Sequence, residues 1–237
     1  MKKSNSAYGI LLAAGQSRRM ASLGSKMWLT LRGRPVLAWA LERFARVAGP
    51  GVVVAQSGEQ DAVQTVLDEA GLGQDWMVTE GGAERYESVR RGLLALTKRR
   101  PAPSGQDLVL IHDAARCLLP ADVGERVVRA LERHSAVIPA LPVTDTVKRR
   151  AVGDGLLAGT VPRDDLLLAQ TPQGFHWEVV DQAYRRWRVG VPTDDAEVVA
   201  AAGTWVAWVA GDPGNRKLTT PDDVAWFEWQ LAREGGS

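Results

Sequence analysis

Leu108-Val109-Leu110-Ile111-His112, followed without a break by Asp113-Ala114-Ala115-Arg116, is the stretch that decides the fold. A short apolar run that ends directly in a polar motif predicts a strand buried on both faces, with chemistry at its carboxyl end. Working outward, similar runs alternate with amphipathic helical periods. Tyr8–Leu12, Val52–Ala55, Trp76–Thr79 and Ala136–Ala140 are predicted strands. Between them a helix starts after Pro35, with Val36, Leu37, Ala40, Leu41, Phe44 and Val47 on one face, and Pro35 suits a first helical position. Further helices are expected over 61–70, 84–96 and 120–134. This repetition predicts a mostly parallel sheet covered by helices on both faces, an α/β architecture. Ligands of such sheets bind beyond the carboxyl ends of the strands. That rule brings the 13–26 loop, the 80–88 turn and Asp113–Arg116 into one neighbourhood.

The alternation breaks between Val143 and Gln173. Thr146, Val147 and Lys148, a turn at Gly153-Asp154-Gly155, and Thr160-Val161 suggest a β-hairpin, which is marginal alone and needs something to pack on. Helices over 177–187 and 194–202, a strand over 205–209 and a closing helix over 221–231 complete the chain, with Thr220 as the expected cap of the last. The tryptophans of these last elements (Trp205, Trp208, Trp226, Trp229) fit core or edge positions. With no repeat and no low-complexity linker, residues 1–237 are expected to form a single domain, with 143–173 as a projecting arm.

Composition removes several classes of function. The 237 residues carry 29 Lys and Arg against 28 Asp and Glu, a formal charge of +1, which argues against a broad phosphate-neutralising surface for nucleic acid. A single cysteine, Cys117, excludes an internal disulfide framework and a multi-cysteine metal site. No apolar run approaches the roughly 20 residues that span a bilayer, and the stretch from Ile10 to Ala14 is too short for a signal peptide. A cytoplasmic enzyme or binding protein is expected, without nucleic acid or membrane partners.

The first loop places Gly15, Ser17, Arg18, Arg19 and Lys26 after strand one, where small residues let backbone N–H groups approach an anion and the cations supply countercharge. Neither G-x-G-x-x-G nor G-x-x-x-x-G-K-[ST] is present, so a nicotinamide or Walker-type site loses its main support. Asp113, directly after a buried strand, is the best candidate for a Mg²⁺ ligand; the alternatives are a helix cap or an ion pair with Arg116. His112 reads as a packed imidazole, and Cys117 as a small filler. Lys217, like Lys26, falls in a loop at a predicted strand end, as a phosphate-binding ammonium would. Helix capping accounts for its neighbours but leaves Asn215 and Lys217 unexplained.

Taken together, the motifs resemble a known family. Leu12-Ala13-Ala14-Gly15-Gln16-Ser17-Arg18-Arg19-Met20, with Lys26 and Leu31-Arg32-Gly33-Arg34-Pro35-Val36, is similar to the opening of the nucleoside-triphosphate transferases that activate sugar phosphates. The narrower resemblance is to the 2-C-methyl-D-erythritol 4-phosphate cytidylyltransferases. It is carried by Gly81-Gly82-Ala83-Glu84-Arg85-Tyr86-Glu87-Ser88, His112-Asp113-Ala114-Ala115-Arg116, Val143-Thr144-Asp145-Thr146-Val147-Lys148 and Thr160-Val161-Pro162-Arg163. Thr171-Pro172-Gln173, Thr193-Asp194-Asp195-Ala196 and Asn215-Arg216-Lys217-Leu218-Thr219 continue it in order.

The resemblance implies a three-layer, Rossmann-like nucleotidyltransferase domain whose β-arm embraces a second subunit, hence a homodimer. Ala13, Ala14, Gly15, Gly82 and Ser88 would line the cytidine pocket, with Arg85, Ala114 and Asp145 also in the substrate-binding set. Arg19 and Lys26 would hold the triphosphate, with Lys217 as the third catalytic cation, and Asp113 would help place Mg²⁺. Thr146, Arg163, Thr171, Thr193 and Lys217 would grip the methylerythritol phosphate, with Arg116 alongside, and Thr146 and Arg163 would reach it from the partner's arm. The implied reaction joins CTP to 2-C-methyl-D-erythritol 4-phosphate and releases pyrophosphate. Rivals are a cytidylyltransferase for another polyol phosphate, such as ribitol 5-phosphate, and a non-catalytic nucleotide-binding protein. The chain departs from the usual pattern at Ser25 and Met27, where Pro and Gln are common, at Ala83 for a frequent Asp, and at Cys117 for Pro.

Overall fold

The computed structural model describes residues 7–15, 25–153 and 155–235. The decisive stretch forms strand β6 (Leu108–Asp113), buried along its whole length. It pairs in parallel with β1 (Ala7–Leu12), which pairs in parallel with β4 (Gly51–Ala55), and β4 with β5 (Trp76–Glu80). The carboxyl ends of these four strands therefore share one edge. The alternation of side chains across the sheet builds two cores. Leu11, Val53 and Leu110 face one side, packed by α1 (Val36–Phe44), α2 (Gln60–Glu69), α4 (Ala121–Ala130) and α7 (Asp223–Glu234). Ile10, Val52, Val54, Val109 and Ile111 face the other, packed by α3 (Arg85–Leu96), α5 (Trp177–Arg186) and α6 (Asp195–Ala201). This is the expected three-layer α/β arrangement. Among the described residues, no helix is long and apolar enough to cross a membrane.

The other half of the sheet departs from the parallel expectation. β11 (Gln173–His176) lies antiparallel between β6 and β7 (Ala136–Pro142), β10 (Leu167–Ala169) is antiparallel to β7, and β12 (Ala207–Ala210) is parallel to it. Neither β10 nor β11 announces itself as a strand in the sequence. β11 contains Gly174, where a Cβ would come within 2.6 Å of Val127 Cγ1 and 2.8 Å of Leu131 Cδ1; a glycine there admits helix α4 onto the sheet. The expected arm is correspondingly narrower than 143–173. Its hairpin comprises β8 (Val147–Arg150) and β9 (Leu157–Val161), paired among the described residues only with each other, whereas residues 167–176 belong to the main sheet.

Two smaller expectations change. A short hairpin of β2 (Thr30–Leu31) and β3 (Arg34–Pro35) precedes α1, turning through Arg32 and Gly33, both at positive φ, the primed-turn geometry that favours glycine. The closing helix starts at Asp223 rather than Pro221, and Thr220 does not cap it. Instead the Asp223 carboxylate accepts from the backbone N–H groups and hydroxyls of Thr219 and Thr220. The expected 205–209 strand is β12, Ala207–Ala210; Trp208 on it is 53% exposed, an edge position, and Trp205 lies before it and is 92% exposed, neither core nor edge.

Candidate active site

A cleft of about 150 Å³ opens at the shared carboxyl edge, lined by Leu12, Ala13, Ala14, Gly15, Lys26, Met27, Arg85, Asp113, Ala115 and Lys217. A larger hollow of about 430 Å³ lies between α3 and α5, lined by Arg90, Leu94, Thr97 and Asp181 among others. It gathers no residue from a strand end, so the chemistry belongs to the smaller cleft. The expected neighbourhood thus forms from three separate segments, joined by Lys217 from the loop before α7.

The floor is a charged lattice around Asp113. Its Oδ2 accepts from Lys217 Nζ at 2.6 Å and its Oδ1 from Arg85 Nε at 3.2 Å. Burial opposes charge on this carboxyl, but Arg85 and Lys217 overcome it and hold Asp113 well below the usual carboxylate range. Asp113 is therefore ionised throughout the neutral range. The ion pair with Arg116 weighed as an alternative for Asp113 does not form; the carboxylate pairs with Arg85 and Lys217 instead. Arg116 instead donates through NH1 to the Asn215 carbonyl at 2.7 Å, and its Nε is buried without a partner among the described residues.

His112 is fully buried, with its ring stacked on Phe44 at 5.1 Å between centroids. Burial drives its pKa down to about 4, so the ring is neutral at pH 7. Its Nε2 faces the Arg116 carbonyl at 3.2 Å, which can only accept, so the proton sits on Nε2. Nδ1 then accepts the Thr171 hydroxyl at 2.9 Å, while Thr171 Oγ1 accepts the Asp113 N–H at 3.1 Å. His112 is structural, as expected; the only hydroxyl proton of Thr171 is committed to it. Cys117 is buried, and burial pushes its thiol up to about 12, which leaves it a filler.

In the loops expected to take the nucleotide, Ala14 N–H donates to the Val54 carbonyl and Gly81 N–H to the Ala55 carbonyl. The two loops touch: a Cβ on Gly81 would sit 2.3 Å from Ala14 Cβ. Ser88 Oγ accepts from Gly82 N–H at 3.0 Å and donates to the Glu84 carbonyl at 3.2 Å. Its hydroxyl is thus engaged internally, where it holds the Gly82 backbone in place. Ala114, buried against the sheet, donates its N–H to the Leu12 carbonyl.

The residues that the resemblance assigns to the acceptor are dispersed. Thr193 donates its hydroxyl to Glu197 Oε2 at 2.8 Å. Asp145, Thr146 and Arg163 lie exposed on or beside the arm and are not among the residues lining their own chain's cleft, and Arg163 NH1 donates to the Thr144 carbonyl. Arg19 lies outside the described residues. Sequence reasoning missed Gln173, whose side chain accepts from Asp195 N–H and Ala196 N–H and so caps α6. It also missed Asp195, and Asn215, whose Nδ2 donates to the Thr171 carbonyl at 2.7 Å. The one available signal was that helix capping left Asn215 unexplained.

An α/β sheet with a cation-lined cleft beyond the ends of its parallel strands is an arrangement suited to an anionic ligand. The family described as 2-C-methyl-D-erythritol 4-phosphate cytidylyltransferase (IspD) matches residues 8–233, and the chain belongs to it. It is 39% identical to the 2-C-methyl-D-erythritol 4-phosphate cytidylyltransferase of Prochlorococcus marinus, over 94% of this chain and 97% of that one. It is 42% identical to the bifunctional enzyme IspD/IspF of Caulobacter vibrioides, covering 92% of this chain but 55% of that protein; the chain spans about half the length of such bifunctional relatives. Among solved structures, the Thermus thermophilus 2-C-methyl-D-erythritol 4-phosphate cytidylyltransferase superposes with a TM-score of 0.73 at 34% identity, covering 94% and 98% of the two chains. A crystal structure of 4-diphosphocytidyl-2C-methyl-D-erythritol synthase gives 0.79 at 29%, covering 97% and 100%.

Proposed function

We propose that the cleft transfers a cytidylyl group from CTP to 2-C-methyl-D-erythritol 4-phosphate, yielding 4-diphosphocytidyl-2-C-methyl-D-erythritol and pyrophosphate, in isoprenoid precursor synthesis in the cytoplasm. The observation that carries this reading is the convergence of Lys26, Arg85 and Lys217 on one cleft with the ionised Asp113, in a chain of this family. A phosphate oxygen of the acceptor forms a bond to the α-phosphorus, the bond from that phosphorus to the bridging oxygen breaks, and its electron pair leaves with pyrophosphate. The nucleophile is already ionised, so no general base is required. The barrier is the meeting of two polyanions and the charge on the α-phosphoryl oxygens, which Arg19, Lys26 and Lys217 relieve by position and charge.

Magnesium fits the donor set. Among the described residues there is no cluster of three or more His, Cys, Asp or Glu, but a carboxylate retains lone pairs beyond the two that Arg85 and Lys217 engage. A single such ligand suits an ion that keeps most of its waters and takes the rest of its shell from phosphates. Asp113 would hold it, and bound there it would screen the triphosphate.

The acceptor site is completed across a homodimer in this reading. Among the described residues the β8–β9 hairpin pairs with no other strand, and Val152, Leu156 and Leu157 on it are exposed, as suits a segment that packs on a second copy. Arg163 and Thr146 then reach the neighbour's acceptor, where a guanidinium can grip two phosphate oxygens at once. Pyrophosphate release assayed with each of four nucleoside triphosphates and with several polyol phosphates tests the reading. Preference for an acceptor such as ribitol 5-phosphate would overturn the substrate, and no turnover would overturn the activity.

A further inference from the structure

Behind the cleft, two buried polar side chains that the reaction does not touch connect to the charged residues that line it. Tyr184, on α5, donates its hydroxyl to Asp195 Oδ1 at 2.5 Å. Asp195, the first residue of α6 and fully buried, accepts the Arg85 guanidinium through both oxygens, NH1 to Oδ1 at 2.9 Å and NH2 to Oδ2 at 2.8 Å. The third guanidinium nitrogen of Arg85, Nε, faces Asp113 Oδ1 at 3.2 Å, and the far oxygen of Asp113 holds Lys217. Neither Tyr184 nor Asp195 lines the cleft, whereas Arg85, Asp113 and Lys217 do.

A guanidinium is planar and its five N–H groups point in fixed directions. Once the Asp195 fork sets the plane, the direction of Nε follows, and with it the rotamer of Asp113 that presents Oδ2 to Lys217. A lone ion pair between Arg85 and Asp113 would leave the guanidinium free to rotate about its long side chain. The fork is itself held at both ends: Tyr184 pins Oδ1, and Gln173 Oε1 accepts the Asp195 backbone N–H at 3.1 Å. We propose that Tyr184 and Asp195 are positioning residues, which aim Arg85 and through it hold Asp113 and Lys217 in the arrangement the transferring phosphoryl group meets. The inference deepens the cytidylyltransferase reading and rests on it for its kinetic consequence.

The test uses Asp195→Asn, which keeps the shape and removes the charge, and Tyr184→Phe, which removes one hydroxyl and safeguards the experiment if the first variant folds poorly. Asp195→Asn is expected to lower kcat about 10²-fold and Tyr184→Phe about 10-fold, since misplacement of about 1 Å has effects of that order. The KM for CTP should stay within about threefold, because the loss falls on the transition state rather than on binding. In an Arg85→Lys background, which keeps a charge but has no fork, Tyr184→Phe should have no further effect on kcat. A merely structural Tyr184 would lower kcat by the same factor in both backgrounds, and that outcome, or unchanged kcat in folded single variants, overturns the proposal. A second readout stands whatever the parent chain catalyses. The Arg85 Nε–H proton, observed by NMR, should exchange slowly in the parent and quickly in both variants, and equal exchange in all three overturns the proposal. Failure of the parent to release pyrophosphate overturns the assigned reaction instead.

Discussion

Lys217 and Asp113, 104 positions apart in the chain, meet at 2.6 Å between Nζ and Oδ2 on the floor of the cleft. The pair holds the ammonium at the strand edge, yet Lys217 keeps 38% of its side-chain exposure toward solvent, so it remains available to a phosphate. Lys217→Ala should reduce kcat by about 10²–10³-fold, the usual effect of losing one preorganised donor to a developing negative charge. Steady-state kinetics at saturating CTP check this, and a variant with near-parental turnover contradicts it.

Asp113→Asn removes the charge that Arg85 and Lys217 share and the proposed magnesium ligand. Activity should then require a higher magnesium concentration, measured as a rightward shift in the metal titration. Chelation by EDTA that leaves the parent protein active would refute the metal role.

Lys26 lines the cleft beside Ala13, Ala14 and Gly15. Lys26→Ala is expected to depress kcat about 10²-fold or more while the acceptor KM changes little, because the triphosphate rather than the acceptor loses its partner. Mixed dimers of Lys26→Ala and Arg163→Ala, formed by dissociation and reassociation, should regain one intact site if the arm works in trans. No recovery in verified heterodimers argues that Arg163 serves its own subunit.

Gly81→Ala brings a methyl group to 2.3 Å from Ala14 Cβ and 2.9 Å from Ser88 Oγ. The two loops on the nucleotide side must separate to admit it. The KM for CTP should rise at least 10-fold, with a stability cost of about 1–3 kcal/mol from overpacking; an unchanged KM would show that this contact does not shape the base pocket.

His112 gives the protein a pH dependence with a definite sign. Its folded-state pKa, pushed down to about 4 by burial, lies below the unfolded value near 6.5, so the unfolded chain binds the proton more readily between these limits. The contribution of His112 is fully present above pH 6.5 and is lost as pH falls toward 4, amounting to about 3 kcal/mol. Urea unfolding at pH 4.5, 5.5 and 7 should show this decline, and His112→Asn should flatten it.

The strands and helices of residues 8–140 were legible because a strand buried on both faces must be apolar throughout and a helix on it must repeat its apolar face. Leu108–Asp113 and Val36–Phe44 show both patterns. The 205–209 stretch reads as a strand from its apolar run, and the observed strand is Ala207–Ala210, half-exposed at the sheet edge, with Trp205 before it and 92% exposed. The antiparallel strand Gln173–His176 carries no such pattern. Its pairing with β6 and β7 depends on neighbours supplied by distant parts of the chain, and its Gly174 answers a helix packed across it.

The site divides along the same line. Lys26, Asp113 and Lys217 could be picked out from the residues alone, since Asp113 ends a buried strand and the two lysines fall in loops that follow predicted strands, all directed to the carboxyl edge where ligands bind. Their partners could not. Arg85 was placed in the substrate set only through family resemblance, and nothing local says that its guanidinium will join Asp113 to Asp195, or that Tyr184 will close the chain behind them. An ion pair depends on where two segments stand in space rather than on their spacing in sequence. Folding α3, β6, α5 and α6 around one sheet turned scattered charges into a single ordered lattice.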